Sequence, residues 1–444
     1  MISDPLILSI VIVFVMFVFL LSSIWIGVSL ILTGIVAMLI FDSQLPPMIS
    51  IYDKIGDLLA SSMYDSLNSW SLAALPMFIL MGEILYKSSI STKLLNGLMP
   101  WLNFIPGKLL HINVAACSLF AAVSGSSAAT TATVGKITLD ELEKRGYSKS
   151  LALGSLAGSG TLGFLIPPSL IMIIYGVLSD VSIGKLFMAG ILPGLMLATL
   201  YSFYIMIVSK IDKSVVPTDE NEYVLKDFIK SLEELFPILS LITVVLGSIY
   251  GGIATPTEAA SLGVLGSIIL AIYFKSFSLE VFKNALLNTM KTSVMISFII
   301  VGAGFLSQVI GFLGIARAIS EYIGTLGLTP MMLILIIGIM YIFLGMILDG
   351  ISIVVMTLPI VLPIIVLAGF DPLWFGIFLV FMVELSQITP PVGFSLFVIQ
   401  SISGERIEYI LKATLPFFIL MIVAVVLITY FPQIVHFLPN YMIK

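Results

Sequence analysis

The chain has 444 residues, 59% of them hydrophobic and only 10% charged, with a formal net charge of −5. A soluble domain carries about 25% charged residues to cover its surface, so these proportions exclude a water-soluble globular protein and make lipid the main solvent. The single cysteine, Cys117, excludes an intrachain disulfide and reads as small apolar filling, while His111 and His436 lie far apart near expected helix ends, where interfacial placement explains them better than catalysis.

The first apolar stretch, residues 6–40, is about twice the length of one membrane span. It predicts two helices, 6–21 and 24–40, joined by a turn at Ser22-Ser23. No basic region precedes it, so it is read as membrane helix and not as a cleavable signal. Residues 41–71 mix charge and apolar side chains (Asp42, Pro46, Pro47, Asp53, Lys54, Asp57, Asp65, Trp70) and suit a helix lying in the interface. A span is expected at 72–86, where Glu83 near its end reads as structural.

Residues 109–139 are apolar but interrupted by Ser124-Gly125-Ser126-Ser127. Each arm is too short to cross comfortably, which predicts a re-entrant hairpin with its tip at the serines. A charged loop, Lys136 to Lys149, follows. Residues 151–179 form a span broken around Gly158-Ser159-Gly160 and Pro167-Pro168, and another span covers 187–208.

The polar stretch 209–234 is the clearest boundary, dividing the chain into units 1–208 and 235–444. After it come a helix pair, 235–250 and 256–274, an amphipathic segment 275–291 and a span 293–312. An apolar stretch 330–367 is interrupted by Asp349-Gly350, a span 374–400 is broken at Thr389-Pro390-Pro391, and the last span is 413–432. Thr255-Pro256-Thr257-Glu258, between the paired helices, matches a capping box with proline at the first helical position.

The order of elements repeats. Pro168 and Pro193 are 25 residues apart, as are Pro391 and Pro416, and the two pairs are offset by 223 residues. The same offset carries Ser127 onto Gly350, inside the second interruption, whereas the helix pairs match with an offset near 229. Each unit holds five spans and one hairpin. Five is odd, so the second unit enters from the opposite side. With the N-terminus outside, 16 lysines and arginines fall in inner segments and four (Lys54, Lys185, Arg317, Lys444) in outer ones, as the excess of positive charge inside requires. Trp25, Trp70, Trp101 and Trp374 fall near expected helix ends, as in an aromatic belt.

The fold class is therefore an all-α polytopic membrane protein with two inverted-topology repeats, each with a re-entrant hairpin and a broken helix. Backbone inside lipid must satisfy its own hydrogen bonds, so such breaks occur where they line a buried or watery cavity, as in secondary transporters with inverted repeats. Ser124, Ser126, Ser127 and the run Thr130, Thr131, Thr133 offer hydroxyls, against a plainer reading as tight helix packing by small residues. Gly163, Ile166 and Pro168 offer carbonyls at the first break, with Ser386, Thr389 and Pro391 as repeat mates, against a simple proline kink. Asp349 is the only charge in the second hairpin and a functional candidate by default, against a solvated turn. Glu384 serves either the cavity or a pairing within the bundle. No serine–histidine pair, HExxH motif or Walker loop argues for an enzyme, and nothing calls for an organic cofactor or nucleic acid.

The motifs Ser124-Gly125-Ser126-Ser127-Ala128-Ala129-Thr130, Gly163-Phe164-Leu165-Ile166-Pro167-Pro168-Ser169, Ala254-Thr255-Pro256-Thr257-Glu258-Ala259-Ala260 and Thr389-Pro390-Pro391-Val392-Gly393 resemble the large membrane subunit of tripartite ATP-independent periplasmic (TRAP) transporters, most of all the sialic-acid branch. The resemblance covers nearly the whole chain. It implies an elevator-type carrier in the bacterial inner membrane, importing an organic anion by symport with sodium, Na+ being the coupling ion. It also implies two partners, a periplasmic substrate-binding protein and a small four-helix membrane subunit. By motif position it places one sodium site at Ser124, Ser127, Gly163, Ile166 and Pro168, and a second at Gly345, Asp349, Gly350, Ser386, Thr389 and Val392. Substrate contacts fall on Ser126, Asp349 and Gln387. The alternative is a carrier that works alone, of the sodium- or proton-coupled dicarboxylate or citrate type.

Overall fold

The structure, a computed structural model, describes residues 5–40, 50–217, 223–390 and 393–441. The first unit runs α1 (Pro5–Leu21), α2 (Ile26–Ile40), α3 (Ile51–Leu67), α4 (Ala74–Lys87), α5 (Ile90–Leu102), α6 (Ile112–Ser124), α7 (Ser127–Lys144), α8 (Lys149–Thr161), α9 (Leu170–Ser179) and α10 (Ile183–Ile211). The second runs α11 (Leu225–Tyr250), α12 (Pro256–Tyr273), α13 (Leu279–Phe312), α14 (Ile315–Thr325), α15 (Pro330–Gly345), α16 (Gly350–Leu367), α17 (Pro372–Gln387), α18 (Phe394–Ser403), α19 (Ile407–Tyr430) and α20 (Gln433–Tyr441). Among the described residues, seven helical stretches are long and apolar enough to cross a membrane.

Local chemistry explains most boundaries. Thr255 caps α12, its hydroxyl accepting from the Glu258 amide at 3.3 Å while the Glu258 carboxylate accepts from the Thr255 amide at 2.8 Å. Thr329 and Asp371 cap α15 and α17, each followed by proline at the first helical position. The inner arms of the two hairpins, α7 and α16, begin 223 residues apart, and so do α8 and α17. The caps of the inner arms, Ser126 and Asp349, keep the same spacing.

Several expected boundaries move. Gly158-Ser159-Gly160 does not break a helix: α8 continues to Thr161, and the interruption is residues 162–169. Those glycines are packing surface, since a Cβ at Gly158 would sit 2.8 Å from the Phe417 Cβ and one at Gly160 would strike Thr131. The charged stretch after Lys136 is not a loop but the last turns of α7. The polar boundary shrinks as well, because α10 runs to Ile211 and α11 starts at Leu225. Segments 275–291 and 293–312 form one 34-residue helix, α13, because Lys291-Thr292-Ser293 contains no glycine or proline to stop it. In the first unit α3 and α4, separated at Asn68–Ser69 and by a 3₁₀ turn, occupy the place of α13. Residues 41–49, the start of the expected interfacial segment, lie outside the described residues. Trp374 is buried, its indole donating to the Ile428 carbonyl at 2.9 Å, so it belongs to no aromatic belt. His111 is also buried, 2.9 Å from the Pro106 carbonyl, rather than interfacial.

Two groups of helices result. Helices α2–α5 pack with α11–α13 as a framework. There α2 and α13 cross closely, because Gly302 lies against the Gly27 carbonyl with room for no Cβ. The hairpins and broken helices, α6–α9 and α15–α18, form a block closed by α10 and α19. Each inner hairpin arm packs on both units: α7 on α8 and α18, and α16 on α17 and α9. This exchange follows from a two-fold relation between repeats. Each unit counts five spanning elements when a broken helix counts once, so the second is traversed in the opposite sense.

Candidate functional site

The first hairpin turns at Gly125, whose φ of +61° is a left-handed conformation that costs glycine nothing. Its carbonyl accepts from the Leu170 amide at 3.2 Å, and the Pro168 carbonyl lies 2.8 Å from where a Cβ on Gly125 would be. Gly163 closes the other side: a Cβ there would sit 2.8 Å from the Ser126 carbonyl and the Ser127 amide nitrogen. Ser124, Ser126, Ser127, Gly163 and Pro168 thus meet at one tip. The Ser124 and Thr130 hydroxyls are 2.7 Å apart, and the Ser127 hydroxyl is 3.4 Å from that of Ser395 on α18. Ser126 caps α7, accepting from the Ala129 amide. Ile166 does not reach the tip with its side chain, which packs on Gly194 of α10.

The amides of the first break are spent on short turns: Phe164 donates to Thr161, Leu165 and Ile166 both to Leu162. Among the described residues, no group donates to the carbonyls of Gly163, Ile166 or Pro168. The Pro168 carbonyl beside the buried hydroxyls of Ser124 and Ser127 gives an oxygen-rich tip, and oxygens of this kind can take the place of a hard cation's water.

The second hairpin is built differently. Asp349 is exposed and caps α16, accepting from the Ile351 and Ser352 amides at 3.2 and 3.4 Å and from the Ser352 hydroxyl. Gly345 lies directly against Ser386, with no space for a Cβ. Gly350 faces Val383, Gln387 and the ring of Phe164. Gly345, Gly350, Ser386 and Gln387 therefore meet, with Asp349 at their edge. Thr389 sits at the end of the first half-helix, its hydroxyl donating to the Leu385 carbonyl at 2.6 Å. Val392, and with it Pro391, lies outside the described residues.

Thr130, whose hydroxyl the sequence offers, joins the first tip, and Phe164 joins the second from within the motif that runs from Gly163 to Ser169, while Ser395 and Ser352 do so without standing out in the sequence as site residues. A hydroxyl in the first turn of a half-helix was the only available signal for Ser395. Glu83 is structural, pairing with Lys87 at 3.6 Å and accepting from Asn288 at 3.1 Å. Lys149 ties the units at the far end of the block, 2.8 Å from Glu405 and 3.0 Å from Glu143.

A helical membrane protein built from paired hairpins and broken helices has the layout of secondary transport proteins with inverted repeats. The family model described as "Tripartite ATP-independent periplasmic transporter, DctM component" matches residues 13–434, and the chain belongs to that family. The C4-dicarboxylate TRAP transporter large permease protein DctM of Pseudomonas aeruginosa is 33% identical over 385 residues, covering 86% of this chain and 90% of that one. The sialic acid TRAP transporter permease protein SiaT of Haemophilus influenzae is 30% identical over 381 residues, covering 85% of this chain and 61% of that longer one. The YdaH transporter of Alcanivorax borkumensis shares the fold, with a TM-score of 0.63 at 12% identity over 91% of this chain and 98% of that one. The chain is thus a multi-pass membrane protein of the tripartite transporter family.

Proposed function

We propose that this chain is the carrier subunit of a sodium-driven importer of an organic carboxylate. The observation that carries this reading is the first tip, where Gly163 and the Pro168 carbonyl close on the turn that bears Ser124, Ser126 and Ser127. Neutral oxygens without a carboxylate suit Na+. In this reading Gly345, Asp349, Gly350, Ser386 and Thr389 hold a second ion. Ser126 and Gln387 meet the substrate, and Asp349 meets its hydroxyl groups or its accompanying cation. The N-termini of α7 and α16 both open at the tips and favour an anionic group there.

The relatives named above, at 33% and 30% identity, are named for C4-dicarboxylates and for sialic acid. Both cargoes are carboxylates, and the identities are too close to select one. A periplasmic binding protein delivers the ligand and a small four-helix subunit completes the membrane part, an assignment supported by the family and by the greater length of the SiaT relative. Sixteen basic residues against four orient the N-terminus to the periplasm. The block of hairpins and broken helices moves against the framework as an elevator.

Uptake into sealed vesicles, supplied with the binding protein and the small subunit, is expected to require an inward sodium gradient. Unchanged uptake with sodium replaced by choline would overturn the proposal. Full uptake without a binding protein would favour a carrier that works alone.

A further inference from the structure

The α1–α2 hairpin is short for its neighbour. Helices α1 and α2 have 17 and 15 residues, about 26 and 22 Å at 1.5 Å per residue, whereas a hydrocarbon core is about 30 Å thick. Helix α13, on which α2 packs, has 34 residues. The two run in parallel, with Gly27 on Phe298 and Gly34 on Phe305. Helix α2 therefore begins only at the level of Phe298, and Leu287, Met290, Val294 and Met295 of α13 are left exposed. The segment from Lys291 to Phe312 is about 32 Å long, one core thickness. Lys291 thus marks the membrane surface on the side of the Ser22-Ser23 turn. The repeat mate of this arrangement, α12 on α4, is closed: the Thr257 hydroxyl donates at 3.3 Å to the Trp70 carbonyl in the 3₁₀ turn before α4.

An apolar groove of about 990 Å³ occupies the step that the short hairpin leaves. Trp25 and Val28 form one wall, Met290, Val294 and Met295 the other, and Phe298 the closed end. Lys291 is the one charged residue of the lining. It is exposed and makes no ion pair among the described residues. From Lys291 to the closed end at Phe298 is about 10 Å of helix, which lies within the roughly 15 Å of one leaflet.

Depth and lining select the occupant. A partner's membrane helix needs a wall across both leaflets, but α2 already covers α13 beyond Phe298, where Gly302 has the Gly27 carbonyl 2.6 Å from its Cβ position. Helix interfaces in membranes also use small residues for close approach, and the one glycine here, Gly27, is spent on Phe298. Lipid, by contrast, adjusts around a short span, and methionines adapt to a flexible chain. One ammonium group at the mouth, beside an exposed indole at the surface, complements a phosphate without a second cation of its own. We propose that this groove binds one anionic phospholipid, an acyl chain lying along Val294, Met295 and Phe298 and the phosphate at the Lys291 amine. The lipid fills the step beside the α1–α2 hairpin and braces it on α13, within the framework and apart from both hairpin tips.

The experiment is native mass spectrometry of the full chain in detergent, with phosphatidylglycerol and phosphatidylcholine of identical acyl chains added in turn, and melting midpoints alongside. The wild type is expected to retain one phosphatidylglycerol in preference to phosphatidylcholine and to melt higher with it. Lys291→Ala is expected to weaken phosphatidylglycerol retention roughly fivefold, about 1 kcal/mol, and to leave phosphatidylcholine retention unchanged. Lys283→Ala, about two turns away on the same helix and outside the groove, is expected to keep the wild-type preference. Val294→Trp, at an exposed position, fills the groove and is expected to lose both lipids. The lysine pair decides the question even if Val294→Trp does not fold, since both lysines are exposed. An unchanged lipid preference in Lys291→Ala overturns the proposal. An equal loss in Lys283→Ala does so too, by assigning the effect to surface charge in general. Release of the phosphatidylglycerol on adding the small membrane subunit would give the groove to a partner helix, and it likewise overturns the proposal.

Discussion

The two hairpin tips occupy the same place in the repeat and solve different problems. Both inner arms begin in the same register, and both are capped by the residue before them. The first cap is Ser126, half-buried and neutral, among hydroxyls that bond one another. The second is Asp349, exposed and charged, beside glycines that leave no room for a side chain. Capping needs only an oxygen, which either residue supplies. The charge at the second tip is therefore beyond what the fold requires. An internal duplication has kept a shared backbone device and divided the chemistry, a neutral oxygen centre on one side and a charged edge on the other.

The largest expected effect tests that division at its charged end. Loss of an N-cap costs about 1 kcal/mol, too little to unfold a multi-span protein. Asp349→Ala should leave the protein inserted and folded while lowering transport by roughly 100-fold or more, about 2.8 kcal/mol. Asp349→Asn keeps a capping oxygen and removes the charge, and it should be impaired as well. Wild-type uptake by the alanine variant, measured at matched expression, would reduce Asp349 to a cap and make the tips equivalent.

A smaller effect is expected from the close approach of Gly345 to Ser386. A methyl group there has no space, and overpacking of this kind costs about 1–3 kcal/mol. Gly345→Ala should lower the melting midpoint and raise half-saturating sodium while leaving the first tip intact. The pair Gly345→Ala with Ser386→Gly should recover part of the melting midpoint. No recovery would mean that the clash is not with Ser386.

Much of this is legible in the sequence. Apolar length marks spans because lipid demands it. Ser124-Gly125-Ser126-Ser127 and Asp349-Gly350 interrupt apolar stretches with residues that cap and turn, so both tips fall where the sequence places them. What was not legible depends on partners far along the chain. Gly158 and Gly160 look like a helix break, yet they are smooth faces for Phe417 and Thr131, which only the folded chain brings near. The continuity of α13 was hidden by Lys291, whose charge reads as a boundary although nothing in the backbone stops there. The roles of Ser395 and Phe164 arise from the exchange of half-helices between repeats, which no local pattern encodes.

The smallest expected effect probes that exchange. The Ser127 and Ser395 hydroxyls are 3.4 Å apart, a long contact between α7 of one unit and α18 of the other. A neutral hydrogen bond contributes about 1 kcal/mol, and a long one less. If Ser127 binds a cation and Ser395 only orients it, the two alanine variants should differ. Ser127→Ala would raise half-saturating sodium roughly fivefold, about 1 kcal/mol, and Ser395→Ala roughly twofold. The double variant should then resemble Ser127→Ala alone, because Ser395 has nothing left to orient, giving a coupling energy of about 0.4 kcal/mol, the whole of the Ser395 effect. Strictly additive effects would show that the hydroxyls act separately, and a larger loss at Ser395 would move the ion from the first hairpin to the half-helix of the second unit.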